Sequence, residues 1–215
     1  IARAHFSIKN GQWRKTFSNS DHVPQLEGKT VGIIGFGHIG RLVNRKLSGF
    51  GVQVLVYDPY IDADVVAETG ARLVDKTELF SNSDFVTVHA RLSEESKGMI
   101  GRRELESMKP TSYLINTGRA GLIDHDALLE VLKEKKIAGA GLDVFPTEPL
   151  PRESEFIRLD NITLTTHIAG TTEEALTSSP ALLMEDIGKF LRGEKPRFIV
   201  NEEVLRNGEF TKWLK

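Results

Sequence analysis

The stretch 30–58 limits the possible fold more than any other part of the chain. Val31, Gly32, Ile33 and Ile34 run directly into Gly35-Phe36-Gly37-His38-Ile39-Gly40, a helix-like segment follows, and Val54-Leu55-Val56-Tyr57 leads to Asp58. The order is strand, glycine turn, helix, strand, acid. Glycines with this spacing occur in many turns. Between an apolar strand and a helix, with an acid about 20 residues further on, they predict a dinucleotide-binding β-α-β unit. Gly35 would permit the tight turn, Gly37 the approach of a pyrophosphate to bare backbone, and Gly40 close packing of helix on sheet. The phosphates would then rest on Gly37, His38 and Ile39 at a helix N-terminus. Asp58 would accept hydrogen bonds from the adenosine ribose hydroxyls and repel an added 2′-phosphate, so NAD is the expected cofactor. The ordinary alternative for Asp58 is a solvated turn acid before Pro59.

Composition narrows the partners. The 215 residues include 28 Lys plus Arg against 30 Asp plus Glu, a balance that gives no electrostatic reason to expect nucleic acid or an anionic membrane. There is no cysteine, which removes disulfide scaffolds, thiolate nucleophiles and Cys-ligated metals, and fits a cytoplasmic protein. No apolar run approaches the roughly 20 residues of a membrane helix, and no signal-peptide pattern opens the chain. The chain begins at Ile1 as if inside an element, which reads as a piece of a longer polypeptide.

Along the chain, residues 1–13 resemble the end of a helix closed near Asn10-Gly11, and 14–28 a polar connector. A short helix is expected over 61–69 and a short strand over 71–74. Asp75 with Glu78 has the pattern of a reciprocal N-cap. Strand 85–89, loop 92–98, a helix over 102–108 and strand 112–116 follow. Asp124 can cap a helix over 127–133, and strands are expected over 138–144 and 162–165. Thr171 with Glu174 has the form of a capping box opening a long helix that ends at Gly193, with Pro180 expected to kink it. Strands alternating with helices predict an α/β fold, a doubly wound, mostly parallel sheet covered on both faces. The expected domains are 1–171, with 1–28 as entry helix and connector, and a C-terminal helix and tail over 172–215.

In such a sheet, ligands collect at the carboxyl ends of the strands. Those ends carry the glycine turn, Asp58, His89-Ala90-Arg91, Asn116-Thr117-Gly118-Arg119, the segment from Asp143 to Glu148, and His167. The set suits hydride transfer to a 2-oxo acid. An arginine grips a carboxylate in bidentate fashion and polarises the adjacent carbonyl. A histidine donates a proton to the forming alkoxide, and a nearby carboxylate raises its pKa. Arg119, His167 and Glu148 can fill these parts. Their plainer roles are a structural ion pair, a satisfied strand-end histidine and a solvated loop acid, and His89 is as readily structural as functional. His5, His22 and His125 are expected to face solvent. A metal is not called for, because the carboxylates and histidines follow different strands without tight ligand spacing.

Three ordered segments carry a family resemblance. Asn116-Thr117-Gly118-Arg119-Ala120-Gly121-Leu122-Ile123-Asp124, Gly141-Leu142-Asp143-Val144-Phe145-Pro146-Thr147-Glu148-Pro149 and Thr166-His167-Ile168-Ala169-Gly170 resemble those of the NAD-dependent D-isomer-specific 2-hydroxyacid dehydrogenases. The resemblance implies a Rossmann fold that lacks most of the N-terminal substrate lobe. It implies that Arg119 binds substrate, that Asp143 holds the nicotinamide carboxamide, and that Glu148 pairs with the acid/base His167. With these go a cofactor surface of Gly35, Gly37, His38, Ile39, Gly40, Asp58, His89, Ala90, Thr117, Gly118, Arg119, Asp143, His167 and Gly170. A small 2-hydroxy or 2-oxo acid substrate and a homodimer are expected, as is weak turnover without the covering lobe. A dinucleotide-sensing interaction module, like the C-terminal-binding corepressors that resemble this family, is the alternative, and a vestigial site a third. Two departures stand out: Arg91 occupies a position where the family usually has proline, and Ala120 one where it usually has glycine.

Overall fold

The computed structural model describes residues 2–13 and 23–213. Most of the expected connector, 14–22 with His22, lies outside the described residues. The chain divides into two compact units, Ile1–Ala169 and Gly170–Lys215.

The first unit contains α1 (Ala2–Lys9), β1 (Thr30–Ile34), α2 (His38–Leu47), β2 (Gln53–Tyr57), α3 (Ala63–Ala67), β3 (Arg72–Leu73) and α4 (Lys76–Asn82). It continues through β4 (Phe85–Val88), α5 (Arg102–Ser107), β5 (Tyr113–Asn116), α6 (His125–Lys133), β6 (Gly139–Leu142) and β7 (Ile162–Leu164). The strands form one sheet in the order β3-β2-β1-β4-β5-β6-β7. Every pairing is parallel, which requires a crossover between successive strands and explains the alternation seen in the sequence.

The two-residue period of a strand builds two cores from one sheet. Val31 and Ile33 of β1 and Val54 and Val56 of β2 pack with Phe36 and Val66 on one face. Ile34, Leu55, Val86 and Val88 point the other way, into a larger cluster with Leu79, Phe80, Leu105 and Leu128. Gly32 lies inside β1 because a Cβ there would stand 2.4 Å from Ser83 Oγ and 2.7 Å from Leu79. Its absence lets the end of α4 lie against the strand.

Asp75 accepts the Glu78 N–H at 2.7 Å, but the expected return bond is replaced. The Glu78 carboxylate pairs with Arg72 at 2.7 Å. Asp124 caps α6 through the Ala127 N–H at 3.0 Å. His125 departs from expectation: it is half-buried rather than solvent-facing. Its Nε2 lies 3.2 Å from the Ala120 carbonyl and its ring meets Phe156 edge-on, while burial pulls its pKa below the usual value. The helix start brings it inward because the residues that follow, Ala127 and Leu128, are core positions.

The second unit is built on α7 (Glu173–Leu191), followed by α8 (Gly208–Trp213). The expected cap is displaced by one residue. Thr172, not Thr171, accepts the Ala175 N–H at 3.1 Å, so Glu174 does not occupy the third helical position. The helix runs on through Pro180, and Gly193 follows it at φ +75°. Buried Asp186 accepts the backbone N–H groups of Arg197 and Phe198 at 2.9 and 2.8 Å, folding the tail back on its own helix.

At the opposite end of the first unit's sheet from the glycine turn, Asp84 accepts the Thr30 N–H at 2.9 Å and pairs with Lys109 at 3.1 Å. Burial alone would raise its pKa, but the N–H and the ammonium outweigh it and hold it below the ordinary 3.8. Its stabilisation is therefore present above that value and is lost as pH falls through the lower folded-state pKa. Asp84→Asn should lower stability at neutral pH by about 1 kcal/mol. Urea melts at stepped pH should also show a shallower acid limb than the parent's.

Candidate active site

The sheet order reverses at β1 and β4: from β1 the chain proceeds outward to β3, then returns to β4 on the other side. In open parallel sheets a ligand binds at the carboxyl edge of such a junction. The residues found there fit a dinucleotide. Gly35 takes φ +86°, and a Cβ on it would stand 2.5 Å from the Ala90 nitrogen. A Cβ on Gly40 would stand 2.2 Å from the Gly35 carbonyl oxygen, so only glycine lets α2 approach the turn this closely. A Cβ on Gly37, by contrast, would meet nothing within 4 Å. The space beside Gly37 is open, and no side chain caps the first turn of α2, where His38 and Ile39 are exposed. This is a cradle of free backbone N–H groups shaped for a pyrophosphate.

Next to it lies a cleft of about 550 Å³ lined by the glycine turn, Asp58, Tyr60, His89, Ala90 and Arg91 among others. Asp58 is not a solvated turn acid. One oxygen accepts the Phe36 N–H at 2.8 Å and the other the Tyr60 N–H at 3.0 Å, leaving acceptor sites for a ribose. Tyr60 in turn donates its hydroxyl to Glu95 at 2.5 Å. His89 is half-buried, its Nε2 3.0 Å from Thr87 Oγ1, and burial depresses its pKa. It lines the cleft.

The other half of the edge belongs to β5, β6 and β7, which are neighbours in the sheet. After β5, buried Asn116 organises the turn: its Oδ1 accepts the Gly118 N–H at 3.0 Å and its Nδ2 donates to the Arg119 carbonyl at 3.0 Å. Thr117 and Arg119 are exposed, and the Arg119 guanidinium rests on its neighbour's carbonyl, that of Gly118, at 2.8 Å. Ala120 begins a single 3-10 turn and does not have the positive φ that would demand glycine. The departure at this position is therefore structurally neutral.

After β6, Asp143 is 2% exposed and accepts three hydrogen bonds. Thr165 Oγ1 donates at 2.5 Å, the Ile168 N–H at 3.0 Å and the Ala169 N–H at 2.9 Å. Burial would raise its pKa, but these donors outweigh it and keep the carboxyl below its usual range. They also fix the turn after β7, where His167 adopts φ +56°. That region is uncommon for a side-chain-bearing residue and costs roughly 1–3 kcal/mol, so it persists only where neighbours impose it. The imidazole Nδ1 lies 2.8 Å from Glu148 Oε2, and Glu148 Oε1 accepts the Phe145 N–H at 2.9 Å. The His167 bond, then the Phe145 N–H, lower the Glu148 pKa. With Nδ1 committed to the carboxylate, Nε2 is the nitrogen available for proton transfer.

The structure thus bonds His167 to Glu148, has Asp143 hold the turn that carries the histidine, and sets Arg119 on the strand end adjoining β6. Gly170 opens the second unit. Sequence reasoning missed Asn116 and Thr165 as organising residues. Their signal was a polar side chain at or just past the end of a buried strand, where its only use is to hold the following turn.

The fold and the cradle define a dinucleotide-binding domain of the Rossmann type. Residues 1–169 match the family described as D-isomer specific 2-hydroxyacid dehydrogenase, NAD binding domain, and the chain belongs to that family, whose cofactor is NAD. Its relatives include D-3-phosphoglycerate dehydrogenase of Methanocaldococcus jannaschii, 41% identical over 94% of this chain and 38% of the relative. Glyoxylate reductase of Thermococcus litoralis is 39% identical over 95% of this chain and 63% of the relative. A solved structure of a Pyrococcus horikoshii OT3 protein superposes with TM-score 0.85 at 32% identity, covering 100% of this chain and 65% of that one. The chain therefore spans under two thirds of each. Among the described residues, no helix is long and apolar enough to cross a membrane.

Asp143 is expected to act through the His167 turn. In Asp143→Asn, an amide N–H₂ would confront donors that now meet a carboxylate. Chemical denaturation should show a loss of about 2–3 kcal/mol, and the downfield Nδ1–H proton signal of His167 should broaden or vanish.

Proposed function

We propose that this chain carries the cofactor and acid/base half of a D-2-hydroxyacid dehydrogenase acting on a small 2-oxo or 2-hydroxy acid. The observation that supports it most is the 2.8 Å pair between His167 and Glu148, held on the strand end two places from the one that carries Arg119.

Arg119 binds the substrate carboxylate and polarises its carbonyl. Its guanidinium is exposed and donates to the neighbouring Gly118 carbonyl, in no ion pair among the described residues, so it can turn to an anionic partner. NAD, when bound, supplies or accepts the hydride. In the reductive direction His167 Nε2 delivers a proton to the forming alkoxide, and in the oxidative direction it removes one from the hydroxyl. Glu148 orients the ring by holding its Nδ1. Asp143 has one acceptor position left after its three protein donors, which suits a carboxamide N–H.

The names of the relatives make glyoxylate and phosphoglycerate chemistry the nearest substrates. A cytoplasmic homodimer is part of this reading, by analogy with the family.

The test is His167→Ala assayed with glyoxylate, hydroxypyruvate and 3-phosphoglycerate-type acids beside an NADH titration. Turnover should fall by about 10²–10⁴-fold, while the NADH dissociation constant moves less than about threefold. An unchanged rate would mean that the proton comes from elsewhere.

A further inference from the structure

The cleft that holds Asp58 also contains a cation that the family pattern does not place there. Its lining carries four charged residues: Asp58, Lys76, Arg91 and Glu95. Three are engaged. Asp58 accepts two backbone N–H groups, Lys76 pairs with Glu104 at 2.8 Å and donates to the Met99 carbonyl, and Glu95 accepts the Tyr60 hydroxyl. The Arg91 side chain makes no hydrogen bond or ion pair among the described residues.

Its backbone, in contrast, is braced. The Arg91 carbonyl accepts Ser96 Oγ at 2.7 Å, and the same hydroxyl accepts the Ser93 N–H at 2.8 Å. A fixed main chain with an unengaged guanidinium beside a cofactor cradle is the form of a ligand-binding arginine. Arg91 follows β4, which pairs with β1 on one side and β5 on the other, and it lines the cleft of the glycine turn and Asp58, whose lining includes none of Arg119, Glu148 and His167. Its partner therefore belongs to the adenosine end of the cofactor.

We propose that Arg91 is a cofactor-specificity residue that offers its guanidinium fork to the 2′-phosphate of NADP, so that this site admits NADP(H) as well as NAD(H). The proposal rests on the assignment of the cleft beside Gly35 and Asp58 to the adenosine ribose. Any group on the ribose 2′-oxygen then lies beside Asp58, inside a cleft of about 550 Å³ that Arg91 also lines. Asp58 alone would repel a phosphate there, and an arginine is the side chain that best offsets this, through paired charge-assisted bonds. The two side chains act against each other on one atom of the ligand.

Fluorescence titrations with NADH and NADPH on the parent, Arg91→Ala, Arg91→Lys, Asp58→Asn and the Asp58→Asn/Arg91→Ala pair provide the test. Arg91→Ala should raise the ratio of the NADPH to the NADH dissociation constant about tenfold, with Arg91→Lys intermediate. Asp58→Asn should lower that ratio, and the gain should disappear in the double variant. Equal weakening of both dinucleotides would overturn the proposal, since it would place Arg91 on the adenine ring or the pyrophosphate. No change in either would overturn it as well. If the parent fails to bind NADH, the cofactor-site assignment falls and the proposal with it.

Discussion

The buried carboxylate of Asp143 is the interaction on which the reactive half of this molecule depends. It takes three protein donors from the segment after β7, and in doing so sustains the left-handed backbone of His167. A residue in that conformation projects its side chain differently from one in an extended strand continuation. The imidazole thereby reaches Glu148 across the gap between the β6 and β7 loops. Asp143 is thus a positioning group for the segment that carries His167.

The cofactor half depends on a different constraint, the lack of side chains. Gly35 and Gly40 touch through backbone alone, which draws the start of α2 down to the sheet edge and exposes its N–H groups at the Gly37 opening. The two halves meet because the parallel order puts β4 and β5 side by side. One edge can then receive an elongated ligand along most of its length.

Much of this was legible in the sequence for a physical reason: strands with two buried faces are read from short apolar runs, and crossovers leave a helix between each pair. The glycine turn and Asp58 could be read because close backbone approach admits no other residue type there. The reading failed where local pattern met a tertiary choice. Thr171 and Thr172 both offer a capping hydroxyl, and only the three-dimensional course of the turn selects the second. His125 looked like a polar helix start, yet its neighbours Ala127 and Leu128 draw it toward Phe156. Asn116 and Thr165 could be suspected from their places at strand ends, but their partners lie in turns whose geometry no spacing rule encodes.

Asp58 shows how tightly recognition and architecture are joined. The same carboxylate that lines the cleft clamps the Phe36 amide of the glycine turn to the end of β2 and anchors the Tyr60 amide of the next loop. Any coenzyme preference set at this acid is therefore not a separable module of this domain. Redesigning it by replacing the acid would also release two loops, whereas adjusting the unengaged groups across the cleft would leave that clamp in place.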